Sequence, residues 1–262
     1  MSKTLITLGA IKNNALSKVG IKPRLSPEAL FHLTSYQRIN HRRLEHLGSL
    51  GLDISSHSVL EVGAGIGDLT SFFVDRGCRV ATSDARKNNV AILRSRYPDL
   101  EVSLLDLDNP PQIFNGLFDI VFCYGLLYHL KNPAIAIDFM SRICQGMLLL
   151  ETRVSFGEDD SLNLCTEDAS SPTESISGEG CRPTRKWVHN RLKQHFQFVY
   201  MPTTQPWHEE FPMDWMTPPE QKSPNSTSVR AIFIASRQKI INGLLTEDIP
   251  LRQVRRCCKK QE

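Results

Sequence analysis

From Ser58 onward the chain keeps a rhythm that few folds accommodate. Short β-branched and apolar runs alternate with segments of helical periodicity. Ser58–Val62 reads as a buried strand, and 66–76 as a helix with Leu69, Phe72 and Phe73 on one face and Gly77 as its stop. The pattern repeats as a strand at 78–83, a helix at 85–97, a strand at 100–105 and a strand at Phe118–Tyr124. A helix then starts at Asn132-Pro133 with Ile135, Phe139 and Ile143 aligned, and Gln145-Gly146 breaks it before a strand at 147–151. Single helices between strands require right-handed crossovers, so the expectation is an α/β fold with a doubly wound, mostly parallel sheet and helices on both faces.

The flanks are less regular. Ser26-Pro27-Glu28 is a helix start, with a capping side chain, proline in the first turn and an early acid. It opens a helical cap over 26–50, where Arg38, His41, Arg42 and Arg43 add positive charge. Segment 155–182 is rich in Ser, Asp, Glu and Gly and reads as a solvated insertion; 158–179 holds seven carboxylates and no Lys or Arg. A helix at 183–196 and strands at 197–201 and 229–235 follow. The loop between those strands, 202–228, carries six prolines with Trp207, His208, Phe211 and Trp215, and such long aromatic loops tend to wall functional pockets. Segments 1–25 and 241–262 read as basic tails; the first is a loosely docked tail or an anion-binding or membrane-surface arm.

Composition excludes several classes. Hydrophobic residues at 40% and charged residues at 23% argue against wholesale disorder, and a net charge of +3 argues against bulk electrostatic binding of nucleic acid. No apolar run is long enough to span a bilayer. Seven cysteines without a C-x-x-C pair suit neither a disulfide framework nor zinc, nor does any His/Cys/carboxylate spacing suggest another metal, and a reducing cytoplasmic location is expected. Cys78, Cys123 and Cys144 read as core residues.

The chemistry sits at the strand ends. Val62-Gly63-Ala64-Gly65-Ile66-Gly67 closes the first strand with a glycine-rich turn, which lets a ligand approach the backbone closely. Its G-x-G-x-G spacing, with Glu61 two residues ahead, differs from the dinucleotide pattern G-x-G-x-x-G, and no P-loop lysine follows. Asp84 ends the second strand, where a carboxylate can accept from ribose hydroxyls or cap the next helix. Asp106 ends the third beside apolar Leu105 and Leu107, with Asp108 as an adjacent competitor. The fourth strand leads through Tyr124 into Gly125-Leu126-Leu127-Tyr128-His129-Leu130. Ligands of open α/β sheets bind at these carboxyl ends.

Together these residues resemble the class I S-adenosylmethionine-dependent methyltransferases, over about 36–154 and more loosely to 235. The segment from Gly125 to Pro133 is similar to the corresponding loop of small-molecule and tRNA-wobble-uridine methyltransferases. The resemblance implies a Rossmann-like seven-stranded sheet ending in an antiparallel pair. It implies S-adenosylmethionine as cofactor, with Gly63, Gly65 and Gly67 beside its methionine part, Asp84 at the ribose and Asp106 at the adenine. Glu61, Leu107 and Tyr124 complete the expected cofactor site.

Methyl transfer from a sulfonium is an in-line displacement, so the protein supplies mainly position and electrostatics. His129 is the candidate base or substrate contact, or else it orients its loop. Tyr128, Trp207 and His208 are candidate acceptor contacts, with Glu209 and Glu210 reaching in from the same loop; Arg38 and His41 are candidates for the cofactor carboxylate or a solvated helix face. A small or medium-sized biosynthetic acceptor is favoured. An RNA acceptor, a nicotinamide-dependent oxidoreductase and an inert binding protein of the same fold are the alternatives.

Overall fold

The computed structural model describes residues 26–218 and 229–255. The expected tail at 1–25 and the end of the long loop, 219–228, lie outside the described residues. Two helices open the described chain, α1 (Pro27–Phe31) and α2 (Thr34–Ser49). The Ser26 side chain caps α1 by accepting from the Ala29 amide. Then come β1 (Ser58–Val62), α3 (Ser71–Val74), β2 (Arg79–Asp84), α4 (Lys87–Arg96), β3 (Glu101–Leu104), β4 (Phe118–Tyr124), α5 (Pro133–Ile143) and β5 (Cys144–Val154). A hairpin of β6 (Leu162–Thr166) and β7 (Glu179–Pro183) precedes α6 (Arg185–Lys193), β8 (Phe198–Pro202), β9 (Thr204–Gln205), β10 (Val229–Ser236), β11 (Leu245–Thr246) and β12 (Val254–Arg255).

The main sheet has the order β11-β8-β10-β5-β4-β1-β2-β3. Its β3 to β5 half is parallel, while β10 runs antiparallel to both β5 and β8. This is the expected doubly wound sheet with eight strands rather than seven. The extra strand is β11, which pairs Leu245 with Pro202 at the sheet edge. Residues 241–255 are therefore packed structure rather than tail, since β12 also pairs with β9. Only 256–262 of that expected tail lie outside the described residues.

Alternate residues of the central strands fill two cores, because side chains point to opposite faces along a strand. Leu60, Val62, Val121, Cys123, Leu148 and Leu150 pack with α5 and α6. Val59, Ile120, Phe122 and Leu149 pack with Ile39 and Leu47 of α2 and with Phe72 and Phe73 of α3. Cys123 and Cys144 are core residues, whereas Cys78 is only half-buried. Gly146 does not break the chain before β5: a Cβ there would lie 2.4 Å from the Asp119 carbonyl, so glycine permits the strand to pass through a register shift.

Two expectations change shape. The helix expected at 66–76 shrinks to α3, because Gly67 has φ +85° and residues up to Thr70 form tight turns. The expected solvated insertion at 155–182 instead contains the β6–β7 hairpin, with its tip folded back over the carboxyl ends of the strands. Arg86 holds the tip by donating to the carbonyls of Ala169, Glu174 and Ser175 at 3.0, 3.1 and 3.0 Å.

Candidate active site

One cavity of about 260 Å³ lies at the carboxyl ends of the parallel strands. Its floor is the β1 turn, Asp84 and Asp106; α1 and α2 wall one side and the 172–176 tip another.

The glycine turn is built for close approach. Gly63 and Gly65 have φ of +65° and +59°, the left-handed region that residues with a Cβ enter only with strain. A Cβ on Gly65 would sit 2.8 Å from the Phe31 ring, and one on Gly63 would sit 2.7 Å from Leu126. Gly67 shapes the turn from behind, against Tyr97 and Leu93, and does not line the cavity. The buried Glu61 accepts from the Thr70 hydroxyl, and burial pushes its carboxyl up to about 7.

Asp84 is locked in place. One oxygen accepts from the Gly65 amide at 2.9 Å, and the other accepts from the Arg86 amide at 2.8 Å and Asn89 Nδ2 at 3.1 Å. Burial raises its pKa, and those same hydrogen bonds oppose the rise. Asn89 is 1% exposed, and its Oδ1 in the cavity wall has no hydrogen-bond partner among the described residues. Beyond it Asp106 is half-buried between Leu105 and Leu107, and all three line the cavity. Asp108 has a different role: it accepts from the amides of Lys131 and Asn132 and so ties the β4 loop to the start of α5. An orphaned acceptor beside a fixed carboxylate, an apolar slot and a Cβ-free turn suit an adenosine with its ribose hydroxyls and flat base. The residues present therefore fit the nucleoside half of S-adenosylmethionine.

The other end is assembled from distant parts of the chain. Tyr124, Tyr128 and His129 come from the β4 loop, Tyr36 and Arg43 from α2, Arg153 from β5, Arg230 from β10 and Glu210 from the late loop. Glu151 is completely buried and bridges Arg43 at 2.8 Å and Arg230 at 3.0 Å. Arg230 also donates to Glu210 at 2.6 Å and to the Tyr128 hydroxyl at 3.2 Å. Burial alone raises the Tyr128 phenol, yet Arg230, His129, Arg153 and Arg43 bring it down to about 7. Burial and Tyr128 push the neighbouring Tyr36 up to about 12. The Tyr124 hydroxyl is buried with no hydrogen-bond partner.

His129 is paired through Nδ1 with Glu167 of the hairpin at 2.5 Å. Glu167 also accepts from the Ser175 amide at 2.9 Å and from Arg182 at 3.2 Å. Partial burial raises the Glu167 carboxyl, but His129 and Arg182 outweigh it and hold it near about 2. An ionised carboxylate only accepts, so the proton of this bond sits on His129 Nδ1 and the ring is oriented with Nε2 turned away from Glu167. Glu167, Arg153, Arg230 and Arg43 were not singled out as site residues by the sequence, which gives no sign of pairings across such separations.

Other candidates lie elsewhere. Trp207 is 53% exposed beneath Arg255, and His208 is buried with Nδ1 accepting from the Glu210 amide; neither lines the cavity. Phe211 and Trp215 of the late loop are buried in the two cores, and among its described residues Glu210 lines the cavity. Arg38 pairs with Glu209 on the surface, and His41 is exposed. Among the described residues no helix is long and apolar enough to cross a membrane.

A family model for a methyltransferase domain matches residues 35–201. The chain belongs to the class I S-adenosylmethionine-dependent methyltransferases. Among curated relatives of this methyltransferase, the ubiquinone biosynthesis O-methyltransferase of Rickettsia typhi is 31% identical over 101 residues, 36% of this chain and 41% of that protein. The ribosomal RNA small subunit methyltransferase A of Anaeromyxobacter sp. (strain K) is 28% identical over 127 residues, 43% of this chain and 44% of that protein. The matches thus span less than half the length of these relatives. Among solved structures, the N-terminal domain of EvdMO1, determined in the presence of SAH and D-fucose, superposes with a TM-score of 0.59 at 16% identity. The superposition covers 76% of this chain and 83% of that one, and the likeness supports the fold.

Proposed function

We propose that the protein transfers the methyl group of S-adenosylmethionine to a small or medium-sized acceptor, with His129 as the proton acceptor. The observation that carries this reading is the shared cavity. The glycine turn, Asp84 and Asp106 line one end, and a histidine oriented by a carboxylate lines the other.

When bound, the cofactor supplies an electrophilic methyl group on a sulfonium. Gly63 and Gly65 would open the floor beside its amino-acid part, Asp84 and Asn89 would hold the ribose hydroxyls, and Asp106 with Leu105 and Leu107 would hold the adenine. His129 Nε2 would take the acceptor's proton while the methyl carbon exchanges its bond to sulfur for one to the acceptor atom, and Glu167 would stabilise the imidazolium that results. Tyr36 and Tyr128 wall the acceptor. The hairpin tip and α1 exclude water, which strengthens every charge interaction inside.

Relatives named for RNA substrates keep an RNA acceptor as the alternative. The choice of a small acceptor is supported by the modest volume of the cavity and by the hairpin tip that walls it.

Thermal unfolding with S-adenosylmethionine, S-adenosylhomocysteine, NAD or NADP added separately tests the cofactor. The two sulfur nucleosides alone should raise the midpoint; at 100-fold over the dissociation constant the stabilisation is about 2.7 kcal/mol. A shift with NAD or NADP alone would overturn the proposal.

A further inference from the structure

The guanidinium groups at the acceptor end of the cavity outnumber the carboxylates beside them. Arg43, Arg153 and Arg230 bring three positive charges to it, and Glu151 and Glu210 bring two negative ones. Arg43 and Arg230 each lie within 3.0 Å of Glu151, one at each carboxylate oxygen. Arg153 is placed differently. Among the described residues its nearest acid oxygen is on Glu210 at 3.9 Å, and its buried Nε, like that of Arg43, has no hydrogen-bond partner there. Its side chain is 30% exposed and lines the cavity, with the guanidinium 5.0 Å from the centre of the Tyr128 ring. A guanidinium is never deprotonated in a protein, and its fork of donors matches a carboxylate in two parallel hydrogen bonds.

We propose that the acceptor carries a carboxylate and that Arg153 binds it, with Tyr36 and Tyr128 flanking the rest of the molecule. This rests on the methyltransferase reading and adds the chemical class of the acceptor. One negative charge neutralises the excess, whereas a dianion such as phosphate would overshoot it beside Glu210. The lowered Tyr128 phenol reports the same positive field, since a buried tyrosine is otherwise pushed up. Arg153 lies two residues beyond Glu151 on β5, at the acceptor end of the cavity. The proposal assigns Arg153 to the acceptor and not to the carboxylate of the cofactor, and the cofactor affinity of an Arg153 variant separates the two.

The test is calorimetry at constant ionic strength on the full chain, with and without saturating S-adenosylhomocysteine. The probes are benzoate, its neutral isostere benzamide, and inorganic phosphate. The expected result is that benzoate binds at least about tenfold more tightly than benzamide or phosphate. In Arg153→Gln that preference disappears while the affinity for S-adenosylhomocysteine stays unchanged, which also shows that the variant is folded. Equal binding of benzamide, tighter binding of phosphate, no binding of any probe, or an unchanged benzoate preference in Arg153→Gln would each overturn the proposal. So would a loss of S-adenosylhomocysteine affinity in Arg153→Gln, because Arg153 would then anchor the cofactor. Failure of the wild type to bind S-adenosylhomocysteine defeats the methyltransferase reading instead, and the arm without it still decides the carboxylate site.

Discussion

The two ends of the cavity are built by different rules. At the nucleoside end the decisive contacts are short in sequence: Asp84 reaches Gly65 across 19 residues, Arg86 across 2 and Asn89 across 5. A single βαβ unit and its turns place all of them. At the acceptor end Tyr128 meets Arg230 across 102 residues, Glu151 meets Arg230 across 79, and His129 meets Glu167 across 38. That end exists only after the whole sheet has closed. Local geometry can carry a cofactor site from one relative to another, whereas the acceptor pocket depends on whatever the insertion and late strands deliver.

The largest expected effect breaks the acceptor end. Arg230→Ala leaves Glu151 buried with only Arg43 opposite it, and removing one partner of a buried ion pair costs about 3–5 kcal/mol. Urea unfolding should show that loss; a change below about 1 kcal/mol would mean that Glu151 is not held as described.

Next comes the nucleoside end. Gly65→Val forces a branched residue into a left-handed backbone and against Phe31, so affinity for S-adenosylhomocysteine should fall about a hundredfold or more. Stability should fall by only about 1–3 kcal/mol. Unchanged affinity would remove the turn from the site.

A third variant separates the ends. Glu167→Gln keeps the size of the side chain and removes the charge that orients His129. Turnover should fall about tenfold or more, with cofactor affinity unchanged. His129→Ala in the same assay should fall at least as far, and full activity in either variant would remove the dyad from the chemistry.

The smallest effect is a pH dependence outside both ends. Burial holds His46, which is hydrogen-bonded to Thr204 at 2.9 Å, down to about 4. The unfolded chain takes up that proton near pH 6.5, so stability should decline as pH falls from about 6.5 toward 4. His46→Gln should flatten that decline. Glu167 acts lower: its contribution is present above about pH 4.5 and is lost as pH falls toward about 2. A midpoint independent of pH between 6.5 and 4 would contradict the burial of His46.

The sheet was legible because alternation of buried strands and amphipathic helices leaves few topologies open. Gly63, Gly65, Asp84, Asp106 and Leu107 were legible as cavity residues for the same reason, since each ends or follows a strand of the parallel half. Glu167 was hidden in an acidic run that resembles a solvated surface. Nothing in the composition of 155–182 says that Arg86 captures its carbonyls and turns it over the site. Trp207 and His208 drew attention as an aromatic and a titratable group, yet the chain turns Trp207 outward and presents Glu210. Arg230 looked like an ordinary strand residue and Arg153 fell just beyond the expected strand at 147–151, because the antiparallel pairing that sets them opposite each other joins strands far apart in sequence.

The most direct test is calorimetric titration of S-adenosylhomocysteine into the wild type and Asp84→Asn. The wild type should bind at one site per chain. In Asp84→Asn the affinity should be lower by about tenfold or more, because an amide donor replaces one of the two acceptor oxygens while the side chain keeps its size. No binding by the wild type, or equal binding by the two proteins, would contradict this assignment of the cofactor site.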